Sequence, residues 1–272
     1  MVVQHPVPAP TALRRVAWLA VLVAGVVAYV VVLRVMVGTR NLTFFPSLLL
    51  LGSATVPLAV LVFAESGGRS IPVRAWVVVT TAVAGGVVGT LTAGVLEYRA
   101  LLELGPASVL LVGVIEEAAK LVVPLVVLLV TRPRDARGGI VVGIASGTGF
   151  AVLETMGYGF QALLSAGSLA AVDQTLQLRA LLSPAGHVAW TGFVVAALWR
   201  TTASRSRGRA LAGFAGAFAL AVVLHTLWDL GTSLTVHVAV VVVSVALLLV
   251  LVHRAHVRPQ LRAAALSAPA LR

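Results

Sequence analysis

The chain has 272 residues and is far more apolar than a soluble domain, with 60% hydrophobic residues, 11% charged residues and a mean hydropathy of +1.04. Soluble proteins carry about 25% charged residues, so the composition predicts a polytopic membrane protein with no separate soluble domain. The formal net charge of +11 does not indicate nucleic-acid binding, because the arginines cluster in short loops and tails near lipid headgroups. The absence of cysteine excludes disulfides, thiolate metal sites and cysteine nucleophiles.

In chain order, the apolar runs predict about eight transmembrane helices, and therefore an all-α bundle embedded in the bilayer. Residues 1–15 form a polar tail, and the run after it is longer than the roughly 7–15 apolar residues of a signal peptide, which indicates an uncleaved span. The predicted spans are 16–37, 44–64, 75–96, 107–130, 139–163, 182–199, 209–229 and 233–253. Residues 16–254 are thus one predicted transmembrane domain, and 255–272 form a C-terminal tail.

The basic residues predict that both termini are cytoplasmic. Fifteen of the twenty lie in the two tails and in the loops near 69–74, 132–137 and 200–209, whereas four lie on the opposite side. Short cytoplasmic loops carry the excess of lysine and arginine in membrane proteins. The remaining basic residue, Lys120, is the only lysine and lies inside the fourth span.

The fourth span contains the segment VGVIEEAAKLVVP, in which Glu116, Glu117 and Lys120 are charged. A charge at bilayer depth costs at least a few kcal/mol, so such residues usually face a protein interior or a wet cavity. Either carboxylate can reach the ammonium along the helix, at i, i+3 or i, i+4, but one ion pair explains only one carboxylate. Pro124, one turn further on, is expected to free a backbone carbonyl and to kink the helix.

The fifth span carries a stripe of small residues that leads to a third carboxylate. Gly143, Gly147, Phe150 and Glu154 are spaced by four, three and four residues, which places them on one face of a helix. Small residues at this spacing let a neighbouring helix approach closely. The pattern therefore predicts that Glu154 points into a packed interface and away from lipid.

Two histidines complete the set. His187 follows Ser183-Pro184, an expected N-cap and first helical residue of the sixth span. His225 and Asp229 are separated by four residues in the seventh span, so the carboxylate can orient the imidazole and fix its tautomer. In the predicted topology, the ionisable residues of spans four to seven all lie in the outer half of the membrane.

Other polar and aromatic residues are expected to have structural roles or none. Trp190 and Trp228 are interpreted as interfacial anchors or packing residues. Solvated charges are expected in the outer loop and at its neighbouring span ends, namely Asp173, Arg179, Glu97 and Glu103. No role is assigned to the histidines in the tails or near span ends, namely His5, His237, His253 and His256.

Such a set of residues could perform hydrolysis in two ways. Two histidines and a carboxylate can bind Zn²⁺ with an open position for water, while another glutamate is the general base. Without a metal, a glutamate can activate water directly while His and Asp donors stabilise the oxyanion. The HExxH zinc signature, the GxSxG serine elbow and the nucleotide-binding Walker and Rossmann motifs are absent from the sequence.

Two other classes of function remain open at this point. Intramembrane Glu and His chains also form proton relays in transporters and channels, although here the carboxylates do not extend into the inner half of the predicted bundle. No pair of matched broken helices marks the inverted repeat of a transporter either. A non-catalytic membrane scaffold is the third possibility.

Four motifs in order, each in its own span, resemble the PrsW family of intramembrane proteases. They are Glu116-Glu117-x-x-Lys120, Phe150-x-x-x-Glu154, His187-Val-Ala-Trp-Thr-Gly and His225-Thr-Leu-Trp-Asp229, and together they cover roughly 107–231. That family is a relative of the type II CAAX prenyl endopeptidases and the Abi/CPBP proteins, which carry EExxxR and FxxxH. The earlier basic residue and Glu154 in place of histidine favour the PrsW branch.

The resemblance implies hydrolysis of a peptide bond in a membrane-embedded cavity. Its substrate would be a single-pass, membrane-tethered protein such as an anti-sigma factor, cleaved in the cell membrane with the lipid bilayer as the only other partner, and without nucleic acid or nucleotide. Glu116 would be the water-activating base, supported by Glu117 and Lys120. The remaining set would bind a metal such as Zn²⁺ or polarise the scissile carbonyl (Glu154, His187, His225), with Asp229 orienting His225.

Overall fold

The computed structural model describes residues 12–66, 73–131 and 137–267, with side chains from Leu13 to Arg254 within those ranges. Most of the predicted N-terminal tail, with His5, and the side chain of His256 lie outside the described residues. The described chain contains helices and no strand. The helices are α1 (Ala12–Arg15), α2 (Ala17–Thr39), α3 (Phe45–Ser66), α4 (Ala75–Leu104), α5 (Val109–Lys120), α6 (Val122–Thr131), α7 (Gly138–Ala166), α8 (Leu169–Leu182), α9 (His187–Ala203), α10 (Arg207–Leu230) and α11 (Leu234–Ser267).

The all-α polytopic architecture is confirmed. Within the described residues, six helical segments are long and apolar enough to cross a membrane, namely Ala17–Thr39, Leu42–Ser66, Gly138–Ala166, Leu169–Ala203, Arg207–Leu230 and Leu234–Arg254. The predicted third and fourth spans are also helical, but their helices differ in length from the predicted spans. Helix α4 is 30 residues long, whereas the fourth span is divided into α5 and α6, of 12 and 10 residues.

Helix α7 is the centre of the bundle, and every residue from Gly138 to Thr148 is buried. Its glycines allow close contact with α9, as the small-residue stripe predicted: a Cβ on Gly143 would lie 2.6 Å from the carbonyl oxygen of Thr191, and one on Gly147 would overlap the carbonyl oxygen of His187. A second glycine face packs on α4, where a Cβ on Gly149 would overlap a backbone carbonyl. Because the backbones touch, the position of α9 relative to α7 is closely defined.

The fourth span is interrupted at Leu121, directly after the charged segment. Pro124 has no N–H to donate to the carbonyl oxygen four residues earlier, which is that of Lys120. The hydroxyl of Ser146 on α7 donates to this oxygen instead, at 2.9 Å. The predicted effect of Pro124 is therefore present, and the freed carbonyl ties the charged segment to the central helix.

The segment before α9 differs from the prediction. Residues 164–181 were expected to be an outer loop, but Leu169–Leu182 form helix α8, because Val172, Leu176 and Ala180 recur every four residues and are buried. Ser183 and Pro184 were expected to begin the sixth span, yet they form a short 3-10 turn, and α9 begins at His187. Gly186 separates the two with a backbone conformation that is neither helical nor extended (φ −119°, ψ −125°), so His187 occupies the first position of its helix.

Candidate active site

The ionisable side chains predicted from four different spans converge on one buried cluster around Lys120. The ammonium Nζ lies 2.7 Å from Oε1 of Glu117 and 3.2 Å from Oε2 of Glu116. It also lies 2.7 Å from Nδ1 of His187 on α9 and 4.4 Å from the centre of the Phe150 ring on α7. Since Lys120 is fully buried, these contacts replace the hydration of its ammonium group.

The contact with Lys120 determines the tautomer of His187. An ammonium has only hydrogen-bond donors, so Nδ1 of His187 must be the acceptor and the ring proton lies on Nε2. That nitrogen is 2.8 Å from Oε2 of Glu154, within ion-pair distance. Glu154 therefore lies where the glycine stripe of α7 placed it, at the packed interface with α9, and it orients His187.

His225 is held in a similar way by Glu117. Its Nδ1 lies 2.9 Å from Oε1 of Glu117, and an ionised carboxylate can only accept, so Nδ1 carries the proton. Its Nε2 is then unprotonated in the neutral ring and lies 3.4 Å from Oδ2 of Asp229. Asp229 was expected to orient His225; it lies near the ring, but the closer carboxylate, on the proton-bearing nitrogen, belongs to Glu117.

Glu116 lies between the two imidazoles. Its Oε2 is 3.8 Å from Nδ1 of His187 and 3.6 Å from Nε2 of His225. This oxygen is buried and has no hydrogen-bond donor among the described residues, only the ammonium of Lys120 at ion-pair distance. Three acceptor atoms therefore converge on one small volume, and two of them, on Glu116 and His187, lie 3.2 and 2.7 Å from the ammonium of Lys120.

The residues of the cluster could hold a metal ion. Each of three residues offers one ligand atom within 4.8 Å of the others, namely Glu116, His187 and His225. Among the described residues, this is the one group of three such side chains that could hold a metal ion. Each histidine has a carboxylate on its opposite nitrogen, Glu154 or Glu117, and this arrangement is common behind metal-ligating histidines. The metal ligands expected from the sequence were Glu154, His187 and His225. In the structure Glu116 takes the place of Glu154, because Glu154 lies on the opposite side of the His187 ring.

The charge of the cluster also suits a divalent cation. Four carboxylates are present (Glu116, Glu117, Glu154 and Asp229) and two basic side chains accompany them (Lys120 and Arg179). With neutral imidazoles, two negative charges remain, and uncompensated buried charge is strongly unfavourable. One doubly charged ion would balance this charge, but it would compete with Lys120 for the lone pair on His187.

Aromatic rings form one wall of the cluster. The ring of Trp190 is 1% exposed and lies 4.9 Å from that of His225, and its indole N–H donates to Ser244 on α11 at 2.9 Å. Trp190 is therefore a packing residue, one of the two roles expected for it. The second expected tryptophan, Trp228, packs its ring against His237 at 4.8 Å. His237 thus has a structural contact, although no role was predicted for it.

Side-chain exposure decreases from the edge of the cluster to its centre. Side-chain exposure is 26% for Asp229 and 17% for Glu154, but 9% for Glu116, 1% for Glu117 and 0% for Lys120. The partly exposed carboxylates define the mouth of the site, and Lys120 lies at its floor. A substrate entering from the mouth would meet Glu116 and the two imidazoles before it met Lys120.

Arg179 is a residue of the site that the sequence interpretation missed. It was expected to be a solvated loop charge, yet its Nη2 lies 2.8 Å from Oε2 of Glu154. Asp173 was given the same interpretation, but it accepts a hydrogen bond from Tyr29 at 2.6 Å. The four-residue spacing of Val172, Leu176 and Ala180 was the signal that could have identified α8 and hence these contacts.

Residues 73–253, more than half of the chain, match a family model described as PrsW family intramembrane metalloprotease. No curated protein and no solved structure matches the chain. The matched range includes α5, α7, α8, α9 and α10, the five helices that supply the cluster.

Proposed function

The chain belongs to the PrsW family of intramembrane metalloproteases, and on that premise we propose that it cleaves a single-pass, membrane-tethered protein at the cluster around Glu116. The observation that carries this proposal is the convergence of Oε2 of Glu116 with Nδ1 of His187 and Nε2 of His225, at 3.8 and 3.6 Å. A carboxylate that lies between two imidazoles can activate water, either directly or through a bound metal ion.

In the proposed reaction, Glu116 accepts a proton from the attacking water as the oxygen adds to the scissile carbonyl carbon. The ammonium of Lys120 lies 3.2 Å away and balances the negative charge of this carboxylate. When the carbon–nitrogen bond breaks, Glu116 returns the proton to the leaving amine, as a general base commonly does in hydrolysis. Glu117 and Lys120 hold the two imidazoles in the required tautomers, and Asp229 lies beside His225 at the mouth.

As a second form of the reaction, we propose that Glu116, His187 and His225 hold a divalent ion, with Zn²⁺ as the first choice for a site with two imidazoles and one carboxylate; Glu116 would then be a ligand of the ion instead of the base. Such an ion supplies Lewis-acid polarisation of the scissile carbonyl and lowers the proton affinity of water. Glu154 then acts behind His187 and does not contact the ion.

The remaining assignments follow from sequence patterns. The arginine distribution supports a cell-membrane protein with both termini in the cytoplasm, which puts the mouth of the site in the outer half of the bilayer. An anti-sigma factor with one transmembrane helix is the substrate class suggested by the resemblance. The order of the four motifs supports kinship with the type II CAAX prenyl endopeptidases and the Abi/CPBP proteins.

Metal analysis of the purified protein tests the proposed ion. The wild type is expected to retain about one equivalent of Zn²⁺ after removal of free metal, and His225→Ala should lose most of it, because a three-ligand site rarely survives loss of one ligand. His237→Ala, a histidine outside the cluster, is the matched control. Equal metal content in wild type and His225→Ala would contradict the ion site.

A proton-coupled transporter would give another result. It should move protons across liposomes in response to a pH gradient, lose that flux with Glu154→Gln, and leave co-reconstituted single-pass proteins uncut.

A further inference from the structure

Arg179 lies on α8, a helix that contributes no other contact to the cluster, yet it completes a chain of charged groups that leads to His187. Its Nη2 and Nε2 of His187 both lie 2.8 Å from the same atom, Oε2 of Glu154. The guanidinium also lies over the ring of Tyr158, 3.8 Å from the centroid. Tyr158 and Glu154 are one turn apart on α7, so Arg179 is held against both side chains.

Helix α8 is anchored in a way that fixes Arg179. Its N-terminus is capped by Ser168, whose side chain accepts from the N–H of Ala171, and Val172 and Leu176 are completely buried. On its other face, Asp173 accepts hydrogen bonds from Tyr29 and Gln177. The backbone that carries Arg179 is therefore positioned independently of the cluster.

We propose that Arg179 is a positioning residue that orients His187 through Glu154. A carboxylate that only accepted from His187 could rotate about its last side-chain bond, and the imidazole could turn with it. The guanidinium restricts that rotation because it contacts the same oxygen from a fixed direction, and because its planar face is stacked on Tyr158. With Glu154 restrained, the imidazole of His187 keeps its orientation, with Nε2 facing Glu154 and the lone pair of Nδ1 facing the ammonium of Lys120.

This inference rests on the proposed function only for its metal readout, since the contacts themselves involve no ligand. Groups behind a metal-ligating histidine typically change metal affinity or activity by about 10–100-fold. Arg179→Ala should therefore weaken Zn²⁺ binding by about 10–100-fold. Arg179→Lys should recover part of the loss, because an ammonium can reach Glu154 but cannot stack on Tyr158 with a flat face.

The test uses the full-length protein in lipid nanodiscs, with Zn²⁺ alone as the probe in competition with a chelator. In parallel, ¹⁵N chemical shifts of the imidazoles are assigned by comparison with His187→Gln. They report the tautomer and the contacts of each ring nitrogen without requiring any metal. Two control variants accompany Arg179→Ala: Arg99→Ala removes an exposed arginine on α4, and Asp173→Asn loosens the α8 anchor while leaving Arg179 in place.

The Nε2-protonated form of His187 is expected in all of these proteins, because Lys120 contacts Nδ1, but the ¹⁵N shift of Nε2, which faces Glu154, should change in Arg179→Ala and keep its wild-type value in both controls. An unchanged Nε2 shift together with unchanged Zn²⁺ affinity in Arg179→Ala would overturn the proposal, as would equal changes in Asp173→Asn, which would assign the effect to α8 packing. If the wild type binds no Zn²⁺, the proposed ion site fails, and the ¹⁵N shifts alone decide the role of Arg179.

Discussion

Replacement of Gly147 by alanine tests whether the close contact of α7 with α9 positions the cluster. A Cβ at this position would lie 3.0 Å from the carbonyl carbon of His187 and 3.1 Å from Cβ of Thr191, and it would overlap the His187 oxygen. Carbon atoms pack at about 3.5–4.0 Å, so the backbone at the start of α9 must move by roughly 0.5–1 Å. His187 would move with it, because it is the first residue of that helix.

The expected effects are large for one added methyl group. Overpacking in a well-packed core costs about 1–3 kcal/mol, although alanine gains up to about 1 kcal/mol over glycine in a helix. A displacement of about 1 Å near reacting groups can lower the rate about 100-fold. Gly157→Ala is a matched control on the same helix, because a Cβ there would meet nothing within 4 Å.

Unfolding in detergent and cleavage of a co-reconstituted single-pass protein would both be measured for the two variants. Gly157→Ala should keep wild-type activity with equal or higher stability, while Gly147→Ala loses most activity and some stability. Wild-type activity in Gly147→Ala would refute the reasoning that the backbone contact sets the position of His187.

Three further substitutions probe the floor and wall of the site. Lys120→Met leaves Glu117 without its ammonium, so stability should fall by about 3–5 kcal/mol. Added Zn²⁺ should raise the unfolding temperature of this variant by more than that of the wild type, since the lone pair of His187 is freed. An equal rise in both proteins would contradict this. Ser146→Ala removes the donor to the Lys120 carbonyl and should cost about 1–3 kcal/mol in denaturant unfolding; an unchanged midpoint would argue against the bond. Trp190→Phe removes the hydrogen bond to Ser244, so stability should fall by about 1 kcal/mol with the Zn²⁺ content retained, and loss of the metal would show that the indole does more than pack.

The sequence predicted that the charged residues of different spans assemble in one place. Charges in apolar spans must find partners inside the protein, so the spacing and the span order alone place Lys120, Glu116 and Glu154 in one interior. The stripe of Gly143 and Gly147 also predicted the right contact, because backbones can approach only where side chains are small.

The pairing within the cluster could not be predicted in the same way. Whether His225 is oriented by Glu117 or by Asp229 depends on the rotation of α5 and α10 about their axes, which helical spacing within one chain segment does not define. Arg179 was missed for another reason: its segment is polar enough to be interpreted as a loop, and only its packing on neighbouring helices makes it part of the site. Contacts between helices distant in sequence carry this information.

The most direct test of proteolysis at this cluster is to map new protein N-termini in membranes from cells that express the wild type or Glu116→Gln. Glu103→Gln, an exposed carboxylate on α4, serves as the matched control. The wild type and Glu103→Gln should generate the same new termini, in the outer half of single-pass membrane proteins, and Glu116→Gln should generate none of them. The same termini at the same abundance in Glu116→Gln would contradict the assignment of Glu116 as the residue that activates water.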